Sequence, residues 1–279
     1  MSTLERRPAG PVGISVGVHS EVGMLREVIV HRPGTELDRL TPANAAELLF
    51  DDVLWPSRAR SEHDAFVETL RSRGVRVHLF GQLLAEALET EAGRAHAIDQ
   101  VCTDDRFGHV LARDLRLLLS DTEPSLLADF LIGGVLKSDL SPLSSASVTW
   151  ESLGIDDFLL PPLPNTLFQR DNAAWVGTGV SINPMAKPAR RRESLNTRTV
   201  LHHHPVFAAA DFRVYAGDSD VDSSLVTWEG GDVHVVGEDA VLIGMGERTS
   251  PMGVERLARE LMSAGLVRRV LAIELPKAR

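Results

Sequence analysis

The chain has 279 residues, 43% of them hydrophobic, and can therefore form one or two domains with a substantial core. Its formal net charge of −10 argues against nucleic acid as a partner and weakly favours a small cationic ligand. The single cysteine, Cys102, leaves no disulfide framework or cysteine-based zinc site, and no apolar run reaches the roughly 20 residues of a membrane helix, so we expect a soluble cytoplasmic protein without a membrane partner.

The N-terminal part of the chain is predicted to contain a strand, a helix and a second strand. Residues 1–16 carry glycines, prolines and arginines and are expected to form a flexible tail. The β-branched run at residues 28–30 predicts a strand core. A helix is predicted to begin at Ser61, where Asp64 completes a capping box, and to end at Gly74.

The composition changes near Gln82. From there to residue 154 the chain is rich in leucine and alanine, poor in β-branched residues, and helical in its apolar periodicity. We predict that residues 82–154 form a helical insertion in an α/β domain made of residues 17–81 and 155–279. The alternative is that these helices simply belong to the same domain.

A unit recurs in the C-terminal part. Asp171 and Asp232 are each followed, at identical offsets, by a valine and an isoleucine. Each unit then runs into an arginine, Arg190 or Arg248, and continues with a helix and a strand. Together with the N-terminal segment, three weakly similar units predict a radial, propeller-like arrangement in which polar groups at the strand ends converge on an axis. The alternative is chance similarity between ordinary α/β segments.

Charged residues of the two units suit a ligand with a guanidinium at one end and a carboxylate at the other. Asp171 and Glu229 can bind the planar fork of guanidinium donors from two sides. Arg190 and Arg248 can hold the distant carboxylate. Any one of these residues alone would more often be a solvated surface charge, but the same pairing in two units favours a site.

A rigid segment leads into this site. The prolines within residues 160–164 fix the backbone and bias the residues before them toward extended geometry. In the ligand considered above, Phe168 could lie along the aliphatic stem, and Asn165 could supply an amide contact.

Longer blocks of sequence carry a resemblance that spans the chain from about residue 17 to its end. The most specific of them are Leu160–Asp171, Asn183–Met185, Pro188–Arg191, Glu229–Asp232 and Ile243–Arg248. On these blocks the chain resembles the arginine deiminases. The resemblance implies a pentein-like fold, a pseudosymmetric α/β propeller with a helical insertion, of which about three of five units would be present. It also implies hydrolysis of L-arginine to citrulline and ammonia through a cysteine thiouronium intermediate, with no metal or cofactor.

The family's site residues carry over by position. Asp171 and Glu229 match the carboxylates that bind the guanidinium and assist proton transfer. The residues that match substrate contacts are Leu49, Asn165, Phe168, Arg190 and Arg248. Gln169 departs from the family pattern, which usually has threonine there, and a small effect is expected.

A larger departure concerns the nucleophile. In the family, a His-Leu-Asp-Thr block and a late catalytic cysteine follow the strand that ends near Leu275, and this chain has neither. Cys102 is expected to be an inert core residue. The expectation is therefore a C-terminally truncated relative that is inactive alone and forms homo-oligomers through uncovered strand edges.

The sequence is also compatible with other functions. The chain could be a non-catalytic arginine-binding or regulatory protein, or a non-functional fragment of an interrupted gene. An amidinotransferase-like enzyme on the same fold would need the same cysteine. The histidines at residues 202–204 could suggest a metal, but adjacent residues rarely bind one ion together, and Pro205 indicates a helix end there.

Overall fold

The computed structural model describes residues 16–140, 143, 145–217 and 225–276. It has a mixed α/β fold, as predicted. The predicted tail, residues 1–16, lies outside the described residues except for its last residue. None of the helices in the described ranges combines the length and apolar character needed to span a bilayer.

The N-terminal segment has the predicted order of strand, helix and strand. Its elements are β1 (Glu27–Val30), α1 (Thr35–Asp38), α2 (Pro56–Ser72) and β2 (Arg76–Leu79), and β1 pairs with β2 in parallel. Helix α2 begins at Pro56, so the predicted start at Ser61 was wrong. Proline suits the first helical turn because its fixed φ is helical and the amide it lacks would have no partner there. Asp64 instead accepts hydrogen bonds from Arg32.

Helices dominate the next segment. Its elements are α3 (Phe80–Glu89), α4 (Glu91–Val101), α5 (Asp104–Phe107), α6 (His109–Ser120), α7 (Pro124–Gly133), β3 (Val135–Leu136), α8 (Val148–Ser152) and β4 (Phe158–Leu160). The buried side chains of these helices, such as Leu84 and Leu111, share a core with Val180 and Leu201 from the following unit. This shared core joins the helical segment to the sheet beside it, and the limits of the insertion as a domain stay a prediction.

The two C-terminal units have the same topology. The first contains α9 (Gln169–Asn172), β5 (Ala173–Val176), β6 (Gly179–Ile182), α10 (Arg191–His203), α11 (Pro205–Ala208) and β7 (Arg213–Ala216). The second contains β8 (Val233–Gly237), β9 (Ala240–Met245), α12 (Pro251–Ser263) and β10 (Arg269–Glu274). In each unit the first two strands are antiparallel, and the third returns after a helix to pair in parallel with the second.

A second core joins these two units. Trp228, Ile243 and Leu257 of the second unit pack with Ala174 and Tyr215 of the first. Packing side chains from both units into one core fixes the two small sheets relative to each other. The segments that precede β5 and β8, which carry Asp171 and Glu229, are thereby held side by side.

Candidate active site

Two carboxylates from different units meet at one guanidinium. Arg190 Nη1 lies 2.7 Å from Asp171 Oδ2 and 3.5 Å from Glu229 Oε2. Asp171 comes from the short helix before β5, and Glu229 comes directly before the 3₁₀ turn that leads into β8. The structure therefore brings together the two carboxylates that the sequence placed in equivalent positions.

The opposite edge of the same guanidinium faces Glu193. Arg190 Nε and Nη2 donate to the two carboxylate oxygens of Glu193 at 3.0 and 2.9 Å. Nη2 also lies 3.3 Å from the carbonyl oxygen of Asn165 and 3.4 Å from that of Phe168. The sequence analysis did not identify Glu193, because a carboxylate three residues after an arginine at a helix start is also common among solvated pairs.

Arg248 contacts the outer side of this cluster. Its Nη1 lies 3.3 Å from Glu229 Oε1. The Arg248 side chain is 28% exposed, whereas that of Arg190 is 3% exposed. Of the two arginines predicted to bind a ligand carboxylate, Arg248 is therefore the one that solvent and a ligand can reach.

The three other predicted site residues lie around this cluster. Asn165 donates from Nδ2 to the carbonyl oxygen of Leu48 at 2.7 Å, which ties it to the loop that carries Leu49. Leu49 has a φ of 66°, a left-handed conformation that costs energy for a residue with a side chain and is often found at functional sites. Phe168 is half exposed beside them.

A buried amide links the backbones that carry the two carboxylates. Asn183 Nδ2 donates to the carbonyl oxygen of Asp171 at 2.7 Å. Its Oδ1 accepts from Trp228 Nε1, also at 2.7 Å, and Trp228 directly precedes Glu229. Because Asn183 is fully buried, these hydrogen bonds fix the spacing of the two segments without competition from water. The sequence reading noted the Asn183 block but did not assign it this role.

Arg170 provides a second link between the units. Its Nη2 donates to the carbonyl oxygen of Val233 at 2.7 Å, and its two terminal nitrogens bind both oxygens of Glu21 at 3.0 and 2.8 Å. Gly230 allows the close approach, since a Cβ there would lie 2.0 Å from the carbonyl oxygen of Arg170. Gly230 therefore serves the contact between the two units, because a side chain would not fit there.

Burial and charge shift the pKa values of the cluster in different directions. Burial raises the pKa of Glu193 to about 7, against the opposing pull of Arg190. Burial also raises the pKa of Glu229, and the nearby Arg190 and Arg248 oppose this shift. For Arg190, burial acts to lower the pKa, but the hydrogen bonds and charges of Glu193 and Asp171 outweigh it and raise the pKa. The guanidinium thus stays charged.

Cys102 lies in an apolar core, as predicted. It lines a cavity whose other walls are Phe107, Leu115, Leu119, Val135, Leu140, Leu159 and Leu160. Burial raises the pKa of its thiol to about 11, so the nucleophilic thiolate is scarce at neutral pH. The position therefore does not suit a catalytic nucleophile.

The histidine run ends a helix. Helix α10 ends at His203, and His204 takes the capping position with its Nε2 2.7 Å from Glu86 Oε2. Across the described ranges, no group of three or more histidine, cysteine, aspartate or glutamate side chains is arranged to hold a metal ion.

The sequence of residues 46–279 matches the family model of arginine deiminase. Since this match covers most of the chain, the chain belongs to the arginine deiminase family, and the resemblance read from the sequence blocks is confirmed.

Three similar solved structures have low sequence identity to this chain. A dimethylarginine dimethylaminohydrolase, solved as an adduct with 4-chloro-2-hydroxymethylpyridine, is 16% identical with a TM-score of 0.45, over 91% of this chain and 62% of its own. A mutant of the enzyme from Pseudomonas aeruginosa with citrulline is 15% identical with a TM-score of 0.45, over 92% and 63%. SxtG, an amidinotransferase of saxitoxin biosynthesis from Microseira wollei, is 16% identical with a TM-score of 0.48, over 93% and 62%. The chain thus spans less than two thirds of the length of these proteins.

Proposed function

We propose that the chain carries an L-arginine site of the arginine deiminase type. One observation carries the proposal: Asp171 and Glu229, from two separate units, already converge on a guanidinium, that of Arg190. Carboxylates arranged to hold one guanidinium are suited to hold another. Arg248, which is 28% exposed on the outer side of the cluster, would contact the ligand carboxylate. Arg190, predicted for the same role, faces Asp171 and Glu229 and would take up that role only after leaving them.

The remaining predicted contacts complete the site. Phe168, half exposed, would pack along the aliphatic stem of arginine. Asn165 and Leu49 would close the opposite wall, since Asn165 is hydrogen-bonded to the loop that carries Leu49. Catalytic roles for Asp171 and Glu229 would be to hold the guanidinium and to assist proton transfer, for which the raised pKa of Glu229 is favourable.

The deiminase reaction itself needs a nucleophile. A thiolate attacks the guanidinium carbon and forms an S–C bond, and the C–N bond breaks as the nitrogen takes up a proton and leaves as ammonia. Water then adds to the same carbon, and cleavage of the S–C bond releases citrulline and regenerates the thiolate. The sole cysteine of these 279 residues is the buried Cys102. Binding without a step that stabilises the transition state does not accelerate chemistry. We therefore propose that these 279 residues, when they are alone, bind arginine but do not convert it. We also propose that binding needs no cofactor.

The architecture we propose is that of a propeller. The shared topology of the two C-terminal units and the strand–helix–strand order of residues 17–81 support units arranged around an axis near the carboxylates. Residues 82–154 would be the helical insertion of this domain. We also propose that the protein is cytoplasmic and forms homo-oligomers, without nucleic-acid or membrane partners.

Two measurements test the function. Calorimetric titration should detect binding of L-arginine by the wild-type chain, and Asp171→Asn or Glu229→Gln should remove it. Asp239→Asn is the matched control, because this carboxylate pairs with Arg268 and Arg269 outside the cluster. A non-functional fragment would show no binding in any form.

The second measurement is a citrulline assay. We expect no citrulline above background from the wild-type chain and the same result from Cys102→Ser. Citrulline production that disappears in Cys102→Ser would overturn the proposal that the chain alone is a binder.

A further inference from the structure

We infer that Arg190 is an internal guanidinium that a guanidino ligand displaces from Asp171 and Glu229, and that Arg190 thereby sets the affinity and specificity of the site. The inference rests on the proposed function, because it concerns the same two carboxylates. It assigns to Arg190 a role opposite to that of a simple ligand contact: its removal would strengthen the binding of a guanidinium.

The guanidinium of Arg190 has two edges with different partners. The edge formed by Nε and Nη2 binds both oxygens of Glu193 at 3.0 and 2.9 Å. Nη1 contacts the two site carboxylates, Asp171 and Glu229, while Nη2 also lies 3.3 and 3.4 Å from the carbonyl oxygens of Asn165 and Phe168. A bidentate pair is the stronger and more directional of these interactions. Arg190 can therefore give up its Nη1 contacts while Glu193 still holds it.

The burial of the cluster shows the side from which a ligand arrives. The Arg190 and Glu193 side chains are buried, whereas Asp171 is 21% exposed and Arg248 is 28% exposed. Asp171 is the more exposed of the two carboxylates, since the side chain of Glu229 is only 7% exposed, so a ligand guanidinium can reach Asp171 first. A partly exposed carboxylate with a buried competitor behind it is the arrangement that exchange requires.

Glu193 keeps a negative charge beside the Arg190 guanidinium when that guanidinium leaves Asp171 and Glu229. A buried cation that loses its carboxylate partner is strongly destabilising. Because Glu193 remains beside Arg190, the displaced guanidinium keeps a partner and the incoming one takes over Asp171 and Glu229. The apparent affinity for a ligand is then its intrinsic affinity multiplied by the fraction of molecules in which Arg190 has left the two carboxylates.

The exchange also divides the work of the two arginines. Arg248, the more exposed of the two, recognises a ligand carboxylate, and Arg190 can join it only once Nη1 has left Asp171 and Glu229. The site should thus accept guanidino compounds with or without a carboxylate, and Arg248 should distinguish the two kinds.

The test uses methylguanidinium, which has the guanidinium of arginine but no carboxylate, in calorimetric titrations. The decisive variant is Arg190→Gln/Glu193→Gln, which removes the internal guanidinium and its anchor together and leaves the net charge unchanged. We expect it to bind methylguanidinium about tenfold more tightly than the wild type, since the competitor is gone. Arg248→Gln is the comparison, because it makes the cluster more negative without removing Arg190. Any gain in methylguanidinium affinity in Arg248→Gln should disappear at high salt, whereas the gain in the double variant should persist.

A second measurement does not depend on how the variant folds. In a crystal structure of the wild-type chain with methylguanidinium, Arg190 Nη1 should have left Asp171 while Nε and Nη2 still bind Glu193. Arginine affinity should fall in Arg248→Gln, and methylguanidinium affinity should not.

The outcomes separate the inference from the proposed function. Equal or weaker methylguanidinium binding by the folded double variant, or a ligand-bound wild type in which Arg190 still contacts Asp171, would overturn the inference alone. Binding by the double variant but not by the wild type would support it in its strongest form. If no form of the chain binds arginine or methylguanidinium, the proposed function fails and the exchange fails with it.

Discussion

At the scale of single residues, the site depends on a side chain that the sequence did not single out. Glu193 is buried against Arg190, and its pKa is raised to about 7 chiefly by burial. Its spacing from Arg190 is typical of many solvated helix pairs, so the sequence alone gave no reason to select it. What distinguishes Glu193 is burial, which depends on the packing of α10 against the rest of the molecule.

The raised pKa of Glu193 predicts how stability depends on pH. An unfolded glutamate has a pKa of 4.5, so between 4.5 and 7 the folded state holds a proton that the unfolded state has lost. The stability associated with this group is present below 4.5 and is lost as the pH rises through 7. Glutamine cannot titrate, so the stability of Glu193→Gln relative to the wild type should rise by up to about 3 kcal/mol as the pH goes from 4.5 to 7, on top of a pH-independent loss because Arg190 no longer has this charged partner.

Urea unfolding at several pH values measures this difference. Glu260→Gln is the control, since Glu260 lies near the surface of α12 and its pKa is lowered by the hydrogen bond from Arg259. A pH dependence in Glu193→Gln identical to that of the wild type would contradict the prediction.

Arg248 yields a second prediction at the residue scale. Replacing it with lysine keeps the charge but loses the planar fork that matches a carboxylate. We expect Arg248→Lys to weaken L-arginine binding on the order of tenfold, although the charge at this position is unchanged. Arg256→Lys, which changes an arginine paired along α12 with Glu260, should have no effect in the same titration. Equal affinity of Arg248→Lys and the wild type for L-arginine would contradict the assignment of Arg248 as a contact of the ligand carboxylate.

At the scale of elements, the site is the place where two units touch. Their strands were predictable because Val180, Ile182, Val241 and Ile243 repeat at fixed offsets in alternating patterns. The links between the units were not, because the bond from Trp228 to Asn183 and those from Arg170 to Gly230 and Val233 join residues 45 to 63 positions apart, and no local pattern encodes such pairs.

Gly230 tests the contact between the units. A Cβ at this position would lie 2.0 Å from the carbonyl oxygen of Arg170, so Gly230→Ala must push the two segments apart. We expect a loss of about 1–3 kcal/mol in unfolding free energy, as in other overpacked interiors. Arginine binding should fall as well, because Asp171 and Glu229 would no longer share one guanidinium.

Gly81 provides the matched control, since a Cβ there would meet nothing within 4 Å and the residue lies in the first turn of α3. Gly81→Ala should leave arginine affinity unchanged. Thermal unfolding and titration of both variants decide the matter. Wild-type affinity in Gly230→Ala would show that the spacing of the two segments does not limit binding.

At the scale of the whole molecule, the mixed α/β class and the family could be predicted from the sequence. Composition separated the helical segment from the strands, and blocks such as Leu160–Asp171 carried the family resemblance. The start of α2 was missed because Ser61 and Asp64 imitate a capping box, while Pro56 fixes the actual start. The direction in which Arg190 points also escaped prediction, because it follows from three carboxylates that converge only after folding.

The edge strand of the second unit predicts self-association. Strand β10 is at one end of its sheet and exposes Leu271 and Ile273, with Leu275 beyond it. An apolar edge strand with free backbone groups is prone to pair with another chain. Analytical ultracentrifugation should show concentration-dependent association of the wild type, which Leu271→Lys/Ile273→Lys should reduce. A wild type that stays monomeric at high concentration would contradict this expectation.

The chain of hydrogen bonds from Trp228 through Asn183 to Asp171 also gives the protein an optical reporter. The indole N–H of Trp228 is buried and bonded to the amide that holds the backbone of Asp171, so its emission maximum and lifetime depend on the polarity and geometry of that bond. With the other tryptophans, Trp55, Trp150 and Trp175, replaced by phenylalanine, the fluorescence of Trp228 would register in real time a shift between the two backbone segments that carry the carboxylates. Stopped-flow mixing could then follow the arrival of a ligand without a label.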